Sequence, residues 1–238
     1  MPNWVYNSLH IEGEAEDIKR LKEQVNQPFV RQHDQWNPET GKMELKDYSY
    51  SNPVFAFWNI IKPTDMETYV LQRDPNHDNT VIDFKGNNWY DWNVRNWGTK
   101  WDVGVGDEEK YPETELIHDD ETVIAYRFNT AWGAPIQAIE TLSSQYPNLE
   151  FNLSFEEETG WGGEYIFVDG NSTEIESYES KCRDCDANDC MEYCDNDCGE
   201  ICSACNYLGE ADLDAVAECD THKVFLDDEH VPTYRKAE

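Results

Sequence analysis

The stretch from residue 122 to 158 constrains the fold more than any other part of the chain. TVIAYRFNT (122–130) is rich in β-branched and aromatic residues and reads as a strand. APIQAIETLSSQYP then puts Ile136, Ile139 and Leu142 on one helical stripe and stops at Pro147, after which LEFNLSFEEE alternates Leu149, Phe151, Leu153 and Phe155. A two-residue period, a helical period and a two-residue period again give strand, helix, strand. GGEYIFVDG (162–170) follows a Gly-rich turn and adds one more strand in a hairpin.

The beginning of the chain repeats the pattern. Trp4 to Ile11 reads as a strand with Val5, Leu9 and Ile11 on one face. EAEDIKRLKEQVNQ places Ile18, Leu21 and Val25 at helical spacing, with acids in the first turn and Pro28 after it. Residues 29–50, polar and aromatic around NPETGK, form a loop or a hairpin. Val54 to Ile61, an apolar run between Pro53 and Pro63, reads as a buried strand. The pattern then degrades, except that Trp89, Trp92, Asn93 and Asn96 share a helical face before Gly98 stops the helix. The expected fold class is therefore α+β: a ferredoxin-like split βαβ sandwich over residues 1–170, with an aromatic-rich insertion at about 62–121. An acidic Cys-rich C-terminal segment, 171–238, follows it.

Three blocks carry a resemblance: MPNWVYNSLHIEG at the start, NWYDWNVRNWGTKWD in the middle, and YRFNTAWGAPIQAIETLSSQYPNLEFNLSFEEETGWGGEYIFVDG up to residue 170. They resemble the YubB-type family of small phage and plasmid proteins, which carry a ferredoxin-like domain. The resemblance implies that fold and a mobile-element origin, and assigns no chemistry. Position 5 is Val5 where many relatives have cysteine, so no site is placed there.

The strongest chemical signal is KCRDCDANDCMEYCDNDCGEICSACN, residues 181–206. It holds Cys182, Cys185, Cys190, Cys194, Cys198, Cys202 and Cys205, and Cys219 follows alone. Two C-x-x-C pairs, Cys182/Cys185 and Cys202/Cys205, have the spacing of a zinc knuckle, in which two tight turns complete a tetrahedron of thiolates. Cys190, Cys194, Cys198 and Cys202 alternatively form one stripe on a helix, and eight thiols suit one or two structural zinc ions, the second recruiting Cys219. Disulfides are the competing account; four thiolates around zinc would close the shell and leave a structural role. Asp184, Asp186, Asp189, Glu192, Asp195 and Asp197 make the same segment acidic. They depart from a calcium loop, which needs Gly where Asp189 stands and Glu where Asp195 stands.

Charge sets the expected partner. Asp and Glu number 50 against 18 Lys and Arg, for a net charge of −32, and residues 171–238 contribute 19 acids and 5 bases. A surface of that sign repels a phosphate backbone and is drawn to basic proteins. The expected function is an acidic, phage-type interaction protein in a host cytoplasm. It would be a DNA mimic or anti-defence inhibitor that binds a basic host protein such as a nuclease or DNA-binding defence complex. The alternative is a nucleic-acid or nucleotide binding module in which Trp89, Trp92, Trp97 and Trp101 stack bases beside a zinc knuckle. Packing of those tryptophans against the sheet competes with that role. No catalytic motif is present: G-x-S-x-G, H-E-x-x-H and a phosphate loop are all missing, and His118-Asp119-Asp120 reads as an acidic loop. No apolar stretch is long enough to span a membrane.

Overall fold

A computed structural model describes residues 3–66, 69, 88–108, 113–179, 191–193, 199–202, 208–211, 222–226 and 232–236. The chain divides into two compact units, the first made of Met1–Glu158 with Glu164–Ile175 and the second of Thr159–Gly163 with Glu176–Glu238.

The first unit holds most of a six-stranded sheet. Strand β1 (Trp4–Glu12) is followed by helix α1 (Ala15–Val25), and much later by β4 (Thr114–Asp119), β5 (Val123–Ala131), helix α3 (Ile136–Gln145) and β6 (Glu150–Glu157). Strands β7 (Gly162–Val168) and β8 (Asn171–Tyr178) complete the order β4-β5-β1-β6-β7-β8. β1 runs antiparallel to both β5 and β6, and β4 antiparallel to β5. β5 and β6 are thus parallel, joined through α3 with β1 between them. β1 and β4 are likewise parallel, on either side of β5. Two interlocked split βαβ units are the ferredoxin-like topology the sequence pattern predicts. β7 and β8 extend the sheet beyond it, and β8 escaped sequence reading because NSTEIESY has no apolar alternation and is almost wholly exposed.

The helices form on apolar stripes and cover one sheet face. Ile18, Leu21 and Val25 of α1 and Ala138, Ile139 and Leu142 of α3 join Leu9, Ile11, Ile124, Phe128, Phe151 and Leu153 in one core. Ten side chains of this set, all but Ile18 and the small Ala138, are fully buried aliphatic or aromatic groups, each worth roughly 1.5–3 kcal/mol relative to exposure.

One expected element is absent. Val54 to Ile61 is no strand; it contains a single 3-10 turn, Phe57–Asn59, with Phe55 and Phe57 fully buried. A short apolar run between prolines signals burial without fixing backbone type. Its backbone is satisfied by a side chain instead of a ladder: the Asp102 carboxylate accepts the N–H groups of Phe57 at 2.7 Å and Trp58 at 3.1 Å. The second strand of the first split βαβ unit is instead β4, across β5 from β1, formed by the stretch containing His118 and Asp119 that the acids disguise as a loop.

The chain between α1 and β4 is therefore inserted into the first βαβ unit. Its described parts are a hairpin of β2 (Phe29–Asn37) and β3 (Lys42–Tyr50), the 3-10 turn, Tyr69 and helix α2 (Trp89–Trp97). The hairpin option for residues 29–50 is the one adopted, turning at Gly41 with φ 64°. A buried ion pair ties the hairpin down: Arg31 Nη1 lies 3.7 Å from Asp102 Oδ2, and its guanidinium sits 4.9 Å over Trp58 and 5.5 Å over Trp97. Asp102 also accepts from Val103 and Gly104 N–H. A buried carboxylate with this many donors meets the condition under which burying a charge is tolerated.

In the second unit, β10 (Gly199–Cys202) pairs antiparallel with β9 (Met191–Tyr193) and β11 (Leu208–Ala211), and β12 (His222–Leu226) pairs antiparallel with β13 (Pro232–Lys236).

Candidate interaction surface

With α1, α3 and the insertion on one face, alternation along each strand sends the remaining side chains to the other. No helix among the described residues packs there. β1 contributes Trp4, Tyr6, Ser8, His10 and Glu12, and the burial pattern of the strand alternates accordingly. In register beside them, β6 presents Glu156 next to Tyr6, Ser154 next to Ser8, Asn152 next to His10 and Glu150 next to Glu12. On the other flank β5 brings Asn129 next to Tyr6 and Arg127 next to Ser8, and β4 brings Glu115 next to Arg127. Glu164 of β7 accepts a hydrogen bond from Asn152.

Among the described residues the outward face thus carries the carboxylates Glu12, Glu115, Glu150, Glu156 and Glu164 and the guanidinium of Arg127. Tyr6 stands in the middle strand, 51% exposed. Glu156 stands beside Tyr6, and Glu12 and Glu150 pair at the far end of the same two strands, so the carboxylates are spread along the face with an exposed aromatic ring among them. Total charge alone does not reveal this arrangement, which comes from the even-numbered register of β1 and β6.

An aromatic cluster adjoins one end of the face. Trp4 lies 6.0 Å from Trp101, Lys100 Nζ lies 4.7 Å from the Trp101 ring and 4.0 Å from the Trp132 ring, and Tyr90 meets Trp132 edge-on. The runs NWGTKW and NTAWGAP, remote in sequence, make this corner together. Thr99 Oγ1 donates to Ala131 O and accepts from Ala131 N, while the Trp132 N–H donates to Asn3 O. Helix α2 enters through Asn88, whose side chain accepts from Tyr90 and Asp91 N–H, and leaves through Gly98 at φ 86°. The expected end at Gly98 is thereby explained.

The four tryptophans singled out in the sequence do not act as one groove. Trp97 is fully buried and donates its indole N–H to Ile61 O, so it is core. Trp89 and Trp92 are partly buried and pack on that core, and Trp101 alone of the four is well exposed, at 39%. Burial of flat rings against the insertion competes with ligand stacking and prevails for three of them.

Cys182, Cys185, Cys190, Cys194, Cys198, Cys205 and Cys219, with Asp184, Asp186, Asp189, Asp195 and Asp197, lie outside the described residues. Cys202 and Glu192 are placed only as backbone, in β10 and β9. Among the described residues no group of three or more His, Cys, Asp and Glu is arranged to hold a metal, and no helix is long and apolar enough to cross a membrane.

A profile of the family described as "Ferredoxin-like domain in Api92-like protein" matches residues 110–195. The crystal structure of protein api92 from Yersinia pseudotuberculosis aligns over 74% of this chain and 99% of its own, at 11% identity and a TM-score of 0.41. No curated protein matches the chain. The ferredoxin-like expectation stands on the strand order and on that profile, while the comparisons lend no support to the YubB-type family. Residues 110–195 are similar to the ferredoxin-like domain of Api92-like proteins.

Proposed function

We propose that the chain is an interaction protein that uses the sheet face opposite α1 and α3 to bind a basic surface on a partner protein. The observation that carries this reading is that Glu12, Glu115, Glu150, Glu156 and Glu164 share one sheet face with the exposed Tyr6, in a protein of net charge −32. Carboxylates arrayed on a rigid sheet favour arginine-rich surfaces, and an exposed tyrosine offers a face on which a guanidinium stacks. The long-range field speeds the encounter. A DNA mimic has this character, and a nuclease or DNA-binding defence complex is the partner class that fits.

The test separates face from total charge. A variant with Glu12, Glu115, Glu150, Glu156 and Glu164 changed to Gln should lose proteins captured from a lysate by the parent, and duplex DNA should displace those proteins from the parent. Changing five acids remote from that face, Glu14, Glu16, Glu23, Glu39 and Glu140, should leave capture intact. Equal loss from both variants, or none from the first, overturns the reading.

For the cysteine segment we propose structural zinc, one or two ions, on the strength of the Cys182/Cys185 and Cys202/Cys205 spacing. Elemental analysis of protein purified under reducing conditions should return at least one zinc per chain.

A further inference from the structure

We infer that Lys100, Trp101 and Trp132 form a binding site for a nucleoside phosphate, separate from any partner on the acidic sheet face. Four observations carry this. First, Trp101 and Trp132 are 39% and 49% exposed, large apolar rings left in water where burial is the default. Second, Trp132 has φ 71°, a left-handed conformation that is a true outlier for a bulky residue.

The surroundings hold Trp132 there. Its N–H is fixed by Asn3 O, and the residue after it, Gly133, has the carbonyl of Gly98 so close that a Cβ would stand 2.6 Å from the oxygen. Backbone strain maintained by its neighbours gathers at ligand sites, and here its effect is to project an indole outward.

Third, Lys100 is held by both rings, at 4.0 Å from the Trp132 centroid and 4.7 Å from that of Trp101. Fourth, among the described residues no carboxylate lies within ion-pair distance of Lys100, although acids outnumber bases 50 to 18 in the chain. The two ring faces leave the ammonium with donor capacity for an anionic oxygen.

The ligand must therefore offer a flat π surface and an anion a few ångströms away. A base stacked on an exposed indole, with its phosphate on the Lys100 ammonium, supplies both; a free sugar lacks the anion and inorganic phosphate lacks the plane. The same chemistry exists in a free nucleotide and at the phosphorylated end of a DNA strand.

The experiment is a titration of full-length protein followed by tryptophan fluorescence at about 0.15 M salt, where the protein's own negative field is screened beyond about 8 Å. AMP should give a saturable change, with adenosine and inorganic phosphate each weaker by about tenfold or more, the loss expected for one charge-assisted contact. Lys100→Met should weaken AMP to the level of adenosine. Trp132→Gly, which suits φ 71°, should abolish binding while leaving circular dichroism and the melting temperature at least as high as the parent's. Trp36→Phe, at an exposed position in the β2–β3 hairpin, should change nothing.

A 5′-phosphorylated hexadeoxyadenylate that binds tighter than AMP makes the strand end the source, and equal affinity makes it the free nucleotide. No saturation with AMP, adenosine as tight as AMP, or unchanged affinity in Lys100→Met overturns the site. Capture of a basic partner by the sheet face is read independently and survives any of these results.

Discussion

Gly98 stands where α2 ends and the turn into α3 passes. Its φ of 86° favours glycine, and a Cβ added there would lie 2.7 Å from Ala134 O and 2.3 Å from Gln137 Oε1. The glutamine can swing away; the carbonyl belongs to a turn that is itself pinned. Gly98→Ala should lower stability by about 2 kcal/mol, read as a shift in urea midpoint at unchanged slope. His33 is the residue to follow with pH. Burial, aided by the Arg31 charge, pulls its pKa from 6.5 down to about 4. Above pH 6.5 neither folded nor unfolded chain holds the proton. Between 6.5 and about 4 the unfolded chain binds a proton that the folded one refuses, so stability falls as pH drops, levelling below about 4. The parent should therefore lose more stability than His33→Gln between pH 7 and 4, and parallel curves would remove His33 from the account.

At the scale of elements, the inserted chain shows what sequence pattern reveals and what it hides. Leu149, Phe151 and Leu153 alternate in sequence and are buried, the last two in β6 and Leu149 just before it, because one buried sheet face imposes a two-residue period. The same logic located β1, α1, β5 and α3. It failed for the 3-10 turn at Phe57–Asn59, where the apolar run was right and the backbone was decided by Asp102, a residue that composition gives no reason to single out. The candidate face is half legible in the sequence: the acids can be counted, but their sharing of one face with Tyr6 needs the β1–β6 register. Asp102 joins the 3-10 turn, Val103, Gly104 and Arg31, so Asp102→Ala should cost about 3–5 kcal/mol, the penalty for stranding a buried cation. Arg31→Met paired with Asp102→Asn should recover part of that loss, since a matched neutral pair strands no charge. A double variant no more stable than the alanine variant would show that the ion pair itself has little role.

For the whole molecule, a net charge of −32 means that compaction works against self-repulsion. Raising NaCl from about 0.02 to about 0.5 M shortens the screening length from about 20 Å to about 4 Å, and the melting temperature should climb across that range. A melting temperature flat in salt would show that the acids are already offset within the fold. Strand β1 is made first, yet it occupies the sheet's interior, and both of its neighbours come late: β5 begins at Val123 and β6 ends at Glu157. During synthesis its Leu9 and Ile11 have no ladder to join until most of the domain has left the ribosome, the kind of long-range closure that slows folding and invites aggregation. A nascent chain stopped before residue 150 should consequently depend on chaperones to stay in solution, whereas one released after residue 178 should not.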